Sequence, residues 1–374
     1  MPRIGIAGDA LSGNTSGVGN YLLELLRHGA FDGYSATLYT KERHQQIAHM
    51  DGIDVKPVDP HSVFNAVPDP ISHVWWENVA AGRAAVSDDV DLYFGSNYLV
   101  PLTFREKSVI VVHDLIHEMC PEYLPRSYVY YMKALLPRSI ARADRVITVS
   151  ESTKTDLVDI YDVESDAVSV AYGSASDRFS IDNIADTEGA IVREKYGIDG
   201  NFILYVGNLE PRKNVHTVID ALERLSPEQR PELAIAGQKF QGYPELSRSY
   251  EMSSCQDDIT FLGYVDDEDL PSLYASARAF VFPSFYEGFG LPLLEAMKAG
   301  TPVVTSDRSS LPEVVGDTGK IVEPTSTEEL AIAIRDLLSK PSNATLARQA
   351  TDRAAKFSWD DAAATVSRTV DEVI

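Results

Sequence analysis

With 374 residues the chain exceeds the roughly 250–300 at which one hydrophobic core stops growing, so two domains are expected. Its 44% hydrophobic and 24% charged composition, without biased runs, excludes disorder, collagen-like repeats and a disulfide scaffold. Thirty-three Lys and Arg against 56 Asp and Glu leave a net charge of −23, which turns away nucleic-acid backbones and suits a halophilic source, where salt near 1 M screens charges within about 3 Å.

Short apolar runs alternate with amphipathic stretches, the pattern of parallel sheets covered by helices. In the first half, strands are expected at Arg3–Ala7, Ala36–Tyr39, Asp91–Phe94, Ser108–Val112, Arg145–Val149 and Ala167–Ala171. Helical periodicity covers Asn20–Leu26 and Thr153–Tyr161, the latter opened by a capping-box spacing from Thr153 to Asp156. The chain turns acidic over Asp182–Glu188, and then a second alternation begins. Its strands are expected at Phe202–Val206, Leu233–Ala236, Ile259–Leu262, Ala279–Phe282, Pro302–Thr305 and Lys320–Val322. Helices are expected near Val215–Leu225, Leu291–Ala299, Glu328–Leu338 and Asp360–Val373.

This reads as an α/β protein of two doubly wound domains, residues 1–185 and 201–355, joined by a linker over 186–200. A last helix within 356–374 is expected to pack back toward the first domain. Cys120 and Cys255 stand far apart without metal-finger spacing, so reduced thiols, no structural metal and a cytoplasmic location are expected. No apolar run reaches the roughly 18 residues of a spanning helix, which leaves peripheral contact with the inner membrane face at most.

Open α/β sheets bind ligands beyond the carboxyl ends of their strands, so the loops there carry the candidate chemistry. Gly207-Asn208-Leu209-Glu210-Pro211-Arg212-Lys213-Asn214 sets two cations ahead of a helix that Asn214 is placed to cap. Such a loop suits a diphosphate; standing alone it would read as a solvated turn with surface charges. Pro283 to Glu295 follows a buried strand: Gly288 and Gly290 permit a tight backbone, Pro292 suits a first helical turn, and Glu287 and Glu295 face one ligand. Carboxylates accept from vicinal hydroxyls, so a sugar or ribose is the natural partner.

His113, after Ser108–Val112, is a polar group for the same cleft or a satisfied structural histidine; its spacing to His117 fails as a metal pair because it ends a strand. Gly13-Asn14-Thr15-Ser16-Gly17-Val18-Gly19 is a glycine-rich loop, but not the GxGxxG of a nicotinamide enzyme. Trp75 and Trp76 are read as core aromatics or as a stacking surface for an acceptor. Asp89-Val90-Asp91 and Asp267-Glu268-Asp269 match the metal-binding DxD pattern, yet 32 Asp make chance matches expected, so neither is taken as a site.

Together these segments resemble the retaining family 4 glycosyltransferases along nearly the whole chain. The resemblance runs through Gly17-Val18-Gly19, His113-Asp114-Leu115, Ala143 to Ser150, Glu210 to Asn214, Glu287 to Glu295, Gly300 to Ser306 and Leu311-Pro312-Glu313-Val314. It implies the GT-B fold, two facing Rossmann-like domains with a ligand cleft between them. It implies a nucleotide-diphosphate sugar as co-substrate and no cofactor. Lys213 and Arg212 would hold the diphosphate without a metal, Glu295 the ribose, and Glu287 with Gly288, Phe289, Gly290 and Leu291 the transferred sugar. Gly17 and Gly19 would belong to the same donor site, and His113 would approach the sugar from the other domain. The wording is most similar to the mannosyltransferase branch, hence mannose from GDP-mannose to a glycan or lipid-linked acceptor. A UDP-sugar donor is the alternative, and a catalytically silent scaffold subunit the non-enzyme reading. Two departures stand out: Asn208 where relatives place Arg, and Tyr172-Gly173-Ser174 where they read Asn-Gly.

Overall fold

The computed structural model describes residues 1–11, 17–41, 52–59, 74–185, 187–238, 243–339 and 344–374. Its internal packing divides the chain into two units, Met1–Gly173 with Ser358–Ile374, and Ser174–Phe357.

The first unit runs β1 (Arg3–Ala7), α1 (Gly17–Arg27), β2 (Ser35–Thr40), β3 (Ile53–Pro57) and a π-helical turn (Trp76–Ala80) that continues as α2 (Ala81–Ser87). Then come β4 (Leu92–Gly95), β5 (Lys107–Val112), α3 (Ile116–Met119), α4 (Arg126–Ile140), β6 (Arg145–Thr148), α5 (Glu151–Tyr161) and β7 (Val168–Val170). The strands form one parallel sheet in the order β3-β2-β1-β4-β5-β6-β7. Runs such as Val109-Ile110-Val111-Val112 are wholly buried because helices cover both faces, and such continuous apolar runs are what the sequence displays. Edge strand β3 lacks one: Ile53-Asp54-Val55-Lys56-Pro57 alternates and stays partly exposed, so apolar continuity does not announce it.

Ser150, not Thr153, caps α5. Its Oγ accepts from the Thr153 amide at 3.0 Å, because β6 ends at Thr148 and the chain turns at once. The expected Trp pair divides: Trp76 lies in the core with Nε1 donating to the Val58 carbonyl at 2.9 Å, while Trp75 is half-buried.

The second unit runs α6 (Glu188–Tyr196), β8 (Phe202–Val206), α7 (Val215–Leu222), β9 (Glu232–Ala236), α8 (Pro244–Met252), β10 (Ile259–Gly263), α9 (Leu270–Ser276) and β11 (Ala279–Phe282). It ends with α10 (Leu291–Lys298), β12 (Val303–Ser306), α11 (Leu311–Val315), β13 (Lys320–Val322), α12 (Thr327–Leu338) and α13 (Ala344–Ala354). Its sheet is also parallel, in the order β10-β9-β8-β11-β12-β13. An aromatic row underlies it: Tyr205 stacks on Phe282 (centroids 6.1 Å apart), Phe282 on Phe280 (5.7 Å), and Phe280 meets Tyr274 edge-on (5.2 Å). Each such buried ring contributes about 1.5–3 kcal/mol.

Helix α6 occupies the stretch read as a linker. Glu188 accepts from Ser272 Oγ at 3.1 Å, and a Cβ on Gly189 would come within 2.3 Å of Ser276 Oγ, so the helix lies hard against α9. The polar look of the segment is its exposed face; Val192 is its buried one. The final helix, α14 (Trp359–Asp371), belongs to the first unit: Trp359 meets Tyr21 of α1 edge-on at 5.5 Å, and Thr369 Oγ1 donates to Ser169 Oγ of β7 at 2.9 Å. Cys120 and Cys255 are not joined. Among the described residues no helix is long and apolar enough to cross a membrane.

Candidate active site

In both sheets the strand order reverses at one place, between β1 and β4 and between β8 and β11, and ligands of doubly wound sheets bind outside the carboxyl ends at that reversal. In the second unit the loops after β8 and β11 are tied together there. The Phe285 amide donates to the Arg212 carbonyl at 2.9 Å, and Arg212 Nη1 donates to the Tyr286 carbonyl at 2.8 Å. Buried Asn214 completes the tie: its Nδ2 donates to the Pro283 carbonyl at 3.1 Å and the Pro324 carbonyl at 2.7 Å, while its Oδ1 accepts from Thr217 Oγ1 at 2.5 Å. Asn214 stands at the start of α7 in a left-handed conformation (φ 58°), so its side chain staples loops instead of capping the helix amides as the sequence suggested.

This staple brings Glu287 between two cations. Lys213 Nζ lies 2.6 Å from Glu287 Oε1, and Arg212 Nη1 3.0 Å from Oε2. Arg212 Nη2 also pairs with Glu210 Oε2 at 3.2 Å. Lys213 Nζ sits 5.0 Å over the Phe282 ring, so the aromatic row is the low-dielectric floor of the ion pair. Burial by itself would raise the Glu287 carboxyl, but Arg212 and then Lys213 outweigh it and hold it down at about 2. Burial lowers the Lys213 ammonium, with Glu287 opposing. Sequence reasoning gave Lys213 and Glu287 to different parts of one ligand; geometry joins them to each other.

The loop from Glu287 to Leu291 is held by two serines that the sequence reading passed over. Ser309 Oγ accepts from the Glu287 amide at 2.9 Å, and Ser310 Oγ donates to the Glu287 and Phe289 carbonyls at 3.0 and 2.7 Å. Their signal is a hydroxyl pair directly before the turn into Leu311-Pro312-Glu313. Gly290 takes φ 109°, and a Cβ there would be 3.0 Å from Leu311 Cδ2, so this glycine is required; Gly288 does not adopt a positive φ, because the chain reverses only at the entry to α10. Leu291 opens α10 with Pro292 in its first turn. Glu295 therefore falls one turn into α10. It accepts from Tyr274 Oη at 3.0 Å, and burial pushes its carboxyl up to about 7, against the lowering effects of Tyr274 and Arg178. A cavity of about 610 Å³ lies at the carboxyl ends of β9 and β10, meeting the loop after β8 at Leu209 and lined also by Gly237, Leu246, Tyr250, Phe261 and Tyr264. A larger hollow of about 900 Å³ at Arg3, Asp91, Lys107 and Ile374 lies at the amino ends of β1, β4 and β5, the wrong end of the sheet for a ligand site.

In the first unit, His113 follows β5 and is buried, with Nε2 2.8 Å from the Ser96 carbonyl and the ring edge-on to Tyr21 at 5.3 Å. A carbonyl only accepts, so Nε2 carries the proton. Burial lowers the imidazole below its ordinary value, against the raising effects of Ser96 and Asp114; the neutral ring thus keeps Nδ1 as an acceptor. Gly17 and Gly19 lie inside the first turn of α1, not in a loop; Gly13 to Ser16 lie outside the described residues. Among the described residues no group of three His, Cys, Asp or Glu is placed to hold a metal ion.

The family described as Glycosyltransferase Family 4 matches residues 15–174, and that described as Glycosyl transferases group 1 matches residues 190–357, the first ending and the second lying where the two units divide. The O-antigen chain mannosyltransferase B of Escherichia coli is 35% identical over 273 residues, 72% of this chain and 71% of that protein. This chain belongs to the family 4 glycosyltransferases. The serotype-specific mannosyltransferase WbdA of Escherichia coli is 32% identical over 267 residues, 69% of this glycosyltransferase but 32% of that protein, so the chain spans about a third of it. Anabaena Alr3699/HepE, solved with UDP-glucose, superposes with a TM-score of 0.77 over 100% of both chains at 19% identity, which shows the shared GT-B fold.

Proposed function

We propose that this glycosyltransferase moves mannose from GDP-mannose to a glycan or lipid-linked acceptor, with retention at the anomeric carbon and without a metal. The observation that carries the reading is the pair Arg212 and Lys213 at the second unit's strand reversal, held by Asn214 and balanced by Glu287. A diphosphate entering there displaces the carboxylate from the cations; Lys213 and Arg212 then offset the charge that grows as the nucleotide leaves. Glu287, freed, accepts from hydroxyls of the sugar, and Gly288 to Leu291 supply backbone groups around it. Glu295 takes the ribose hydroxyls, and the aromatic-lined cavity has room for the base. In the first unit, His113 offers Nδ1 as an acceptor, and Gly17 and Gly19 leave the first turn of α1 without side chains.

The acceptor hydroxyl oxygen attacks C1 on the face the diphosphate leaves. The C1–oxygen bond to phosphate breaks, and the acceptor proton passes to the departing phosphate oxygen. The names of the mannosyltransferase relatives support the sugar assignment. Mass spectrometry of products from a GDP- and UDP-sugar panel with the host's glycolipid extract tests it: a mannosylated product from GDP-mannose is expected. Transfer from UDP-sugars alone would replace the donor assignment, and loss of activity on chelation would end the metal-free one.

A further inference from the structure

The proposed transfer depends on the loop from Glu287 to Leu291, which offers few side chains by which it can be held. Between those two residues stand Gly288, Phe289 and Gly290, so Phe289 carries the one side chain on a backbone that glycine leaves loose on either side. The Phe289 ring is buried and meets the ring of Phe357 edge-on, with centroids 5.7 Å apart and planes at 67°. Phe289 is thus held at two points, by its carbonyl through Ser310 Oγ at 2.7 Å and by its ring through Phe357. An edge-on aromatic pair is directional, so a shift of either ring shifts the backbone that bears the other.

Phe357 is itself fixed. The second unit begins at Ser174 and ends at Phe357, and buried Ser174 Oγ donates to the Phe357 carbonyl at 2.8 Å, so a hydrogen bond joins the two ends of the unit. The departure at Tyr172-Gly173-Ser174 therefore reaches the loop through Phe357. Over the ring stands Arg353, its Cζ 5.2 Å from the centroid. Arg353 lies in the last turn of α13 and donates through Nε to the Val314 carbonyl at 3.1 Å and through Nη2 to the Glu313 carbonyl, closing the C-terminal end of α11. Gly316 takes φ 56°, and a Cβ there would lie 3.3 Å from Arg353 Nε, so this glycine leaves room for the contact. Helix α11 follows directly on Ser309 and Ser310, so the groups that hold the Phe289 carbonyl and those that hold its ring form one connected body.

Resting on the hexosyl-transfer reading above, we propose that Phe357 is a positioning residue for the transfer: fixed by Ser174 and Arg353, it sets Phe289 and so the Gly288 to Leu291 backbone around the donor sugar. Arg212 and Lys213 stand on a different loop, so the nucleotide without its sugar is bound independently of this contact. The test uses the purified full chain with GDP-mannose and the host's glycolipid extract. Phe357→Ala is expected to lower kcat at least tenfold, with GDP affinity by calorimetry within twofold of wild type, and Phe357→Tyr, which keeps the ring, to stay within threefold in kcat. The double variant Phe289→Ala with Phe357→Ala should lose no more than threefold beyond Phe289→Ala alone. Hydrogen exchange of the free protein gives a readout apart from turnover: the amides of 288–291 are expected to exchange at least tenfold faster in Phe357→Ala, with those of β8 and β11 unchanged. Should Phe357→Ala fail to fold, Ser174→Ala, which loses only a hydroxyl, carries the test, with kcat at least threefold lower and GDP affinity again unchanged. A kcat within threefold of wild type in Phe357→Ala, an unchanged kcat in Ser174→Ala, GDP affinity falling in step with kcat, or a double variant that loses the product of the two single losses overturns the proposal. Failure of the underlying reading looks different: the wild type consumes no GDP- or UDP-sugar, while the exchange result still decides whether Phe357 holds the loop. Use of UDP-sugars alone moves the same comparison to that donor and UDP.

Discussion

At the reversal between β8 and β11, two cations close on a carboxylate over an aromatic floor; at the reversal between β1 and β4, the Asn97 amide donates to Asp9, whose carboxylate acts on Lys41 together with that of Glu77. Both crevices come from the same strand order, and neither owes its chemistry to that order. Topology decides where a ligand is met, by leaving two loops diverging from adjacent strand ends. The side chains on those loops decide which charge is welcome. The second unit's two cations share one carboxylate, whereas the first unit's Lys41 answers to two.

The largest effect that would break this contrast is at the ion pair. Lys213→Ala and Glu287→Ala are each expected to lower kcat/KM at least 100-fold, about 2.7 kcal/mol, in steady-state assays of cooperatively folding proteins. The double variant should cost more than either, because with the donor bound Lys213 serves the diphosphate and Glu287 the sugar; a near-normal rate in either single variant would sink the role proposed for that residue. Next comes the staple. Asn214→Ala leaves the Pro283 and Pro324 carbonyls without its amide, an expected loss of about 2–3 kcal/mol, read as a lower urea midpoint. An unchanged midpoint would show that the loops hold themselves.

A smaller effect sharpens the comparison through pH. On the ribose role proposed for Glu295, which is neutral below about pH 7 and ionised above it, nucleotide affinity should strengthen about tenfold between pH 6 and 8. Glu295→Gln should flatten that rise in calorimetric titrations. The same raised carboxyl works against folding as pH climbs from the ordinary carboxylate range toward 7, since the unfolded chain ionises first. Glu287 has the opposite sign: its depressed carboxyl stabilises the fold above the ordinary range, and that contribution fades as pH falls toward about 2.

Much of the site was legible because chemistry-bearing residues cluster next to punctuation. Pro283, Gly290 and Pro292 bracket Glu287 and mark the strand's end and the helix's start, and Pro211 marks the turn that carries Arg212 and Lys213. What stayed hidden has no such flag. Ser309 and Ser310 are ordinary serines until the loop lies over them, and Phe289 and Phe357 sit too far apart in sequence to read as a pair. The linker was misread because a half-exposed helix with one buried valine looks, in sequence, like polar connecting chain.

By itself the sequence determined the two parallel sheets and the loops that face their ligands, because fully covered strands must be apolar throughout and tight turns demand glycine and proline. Only the tertiary structure decided that Glu287 belongs to Lys213 and Arg212 before any ligand arrives, and that the Glu295 carboxyl is pushed up to about 7. Both outcomes depend on burial and on distances across separate loops. Electrostatic energy varies with position and dielectric, which residue order along the chain does not encode.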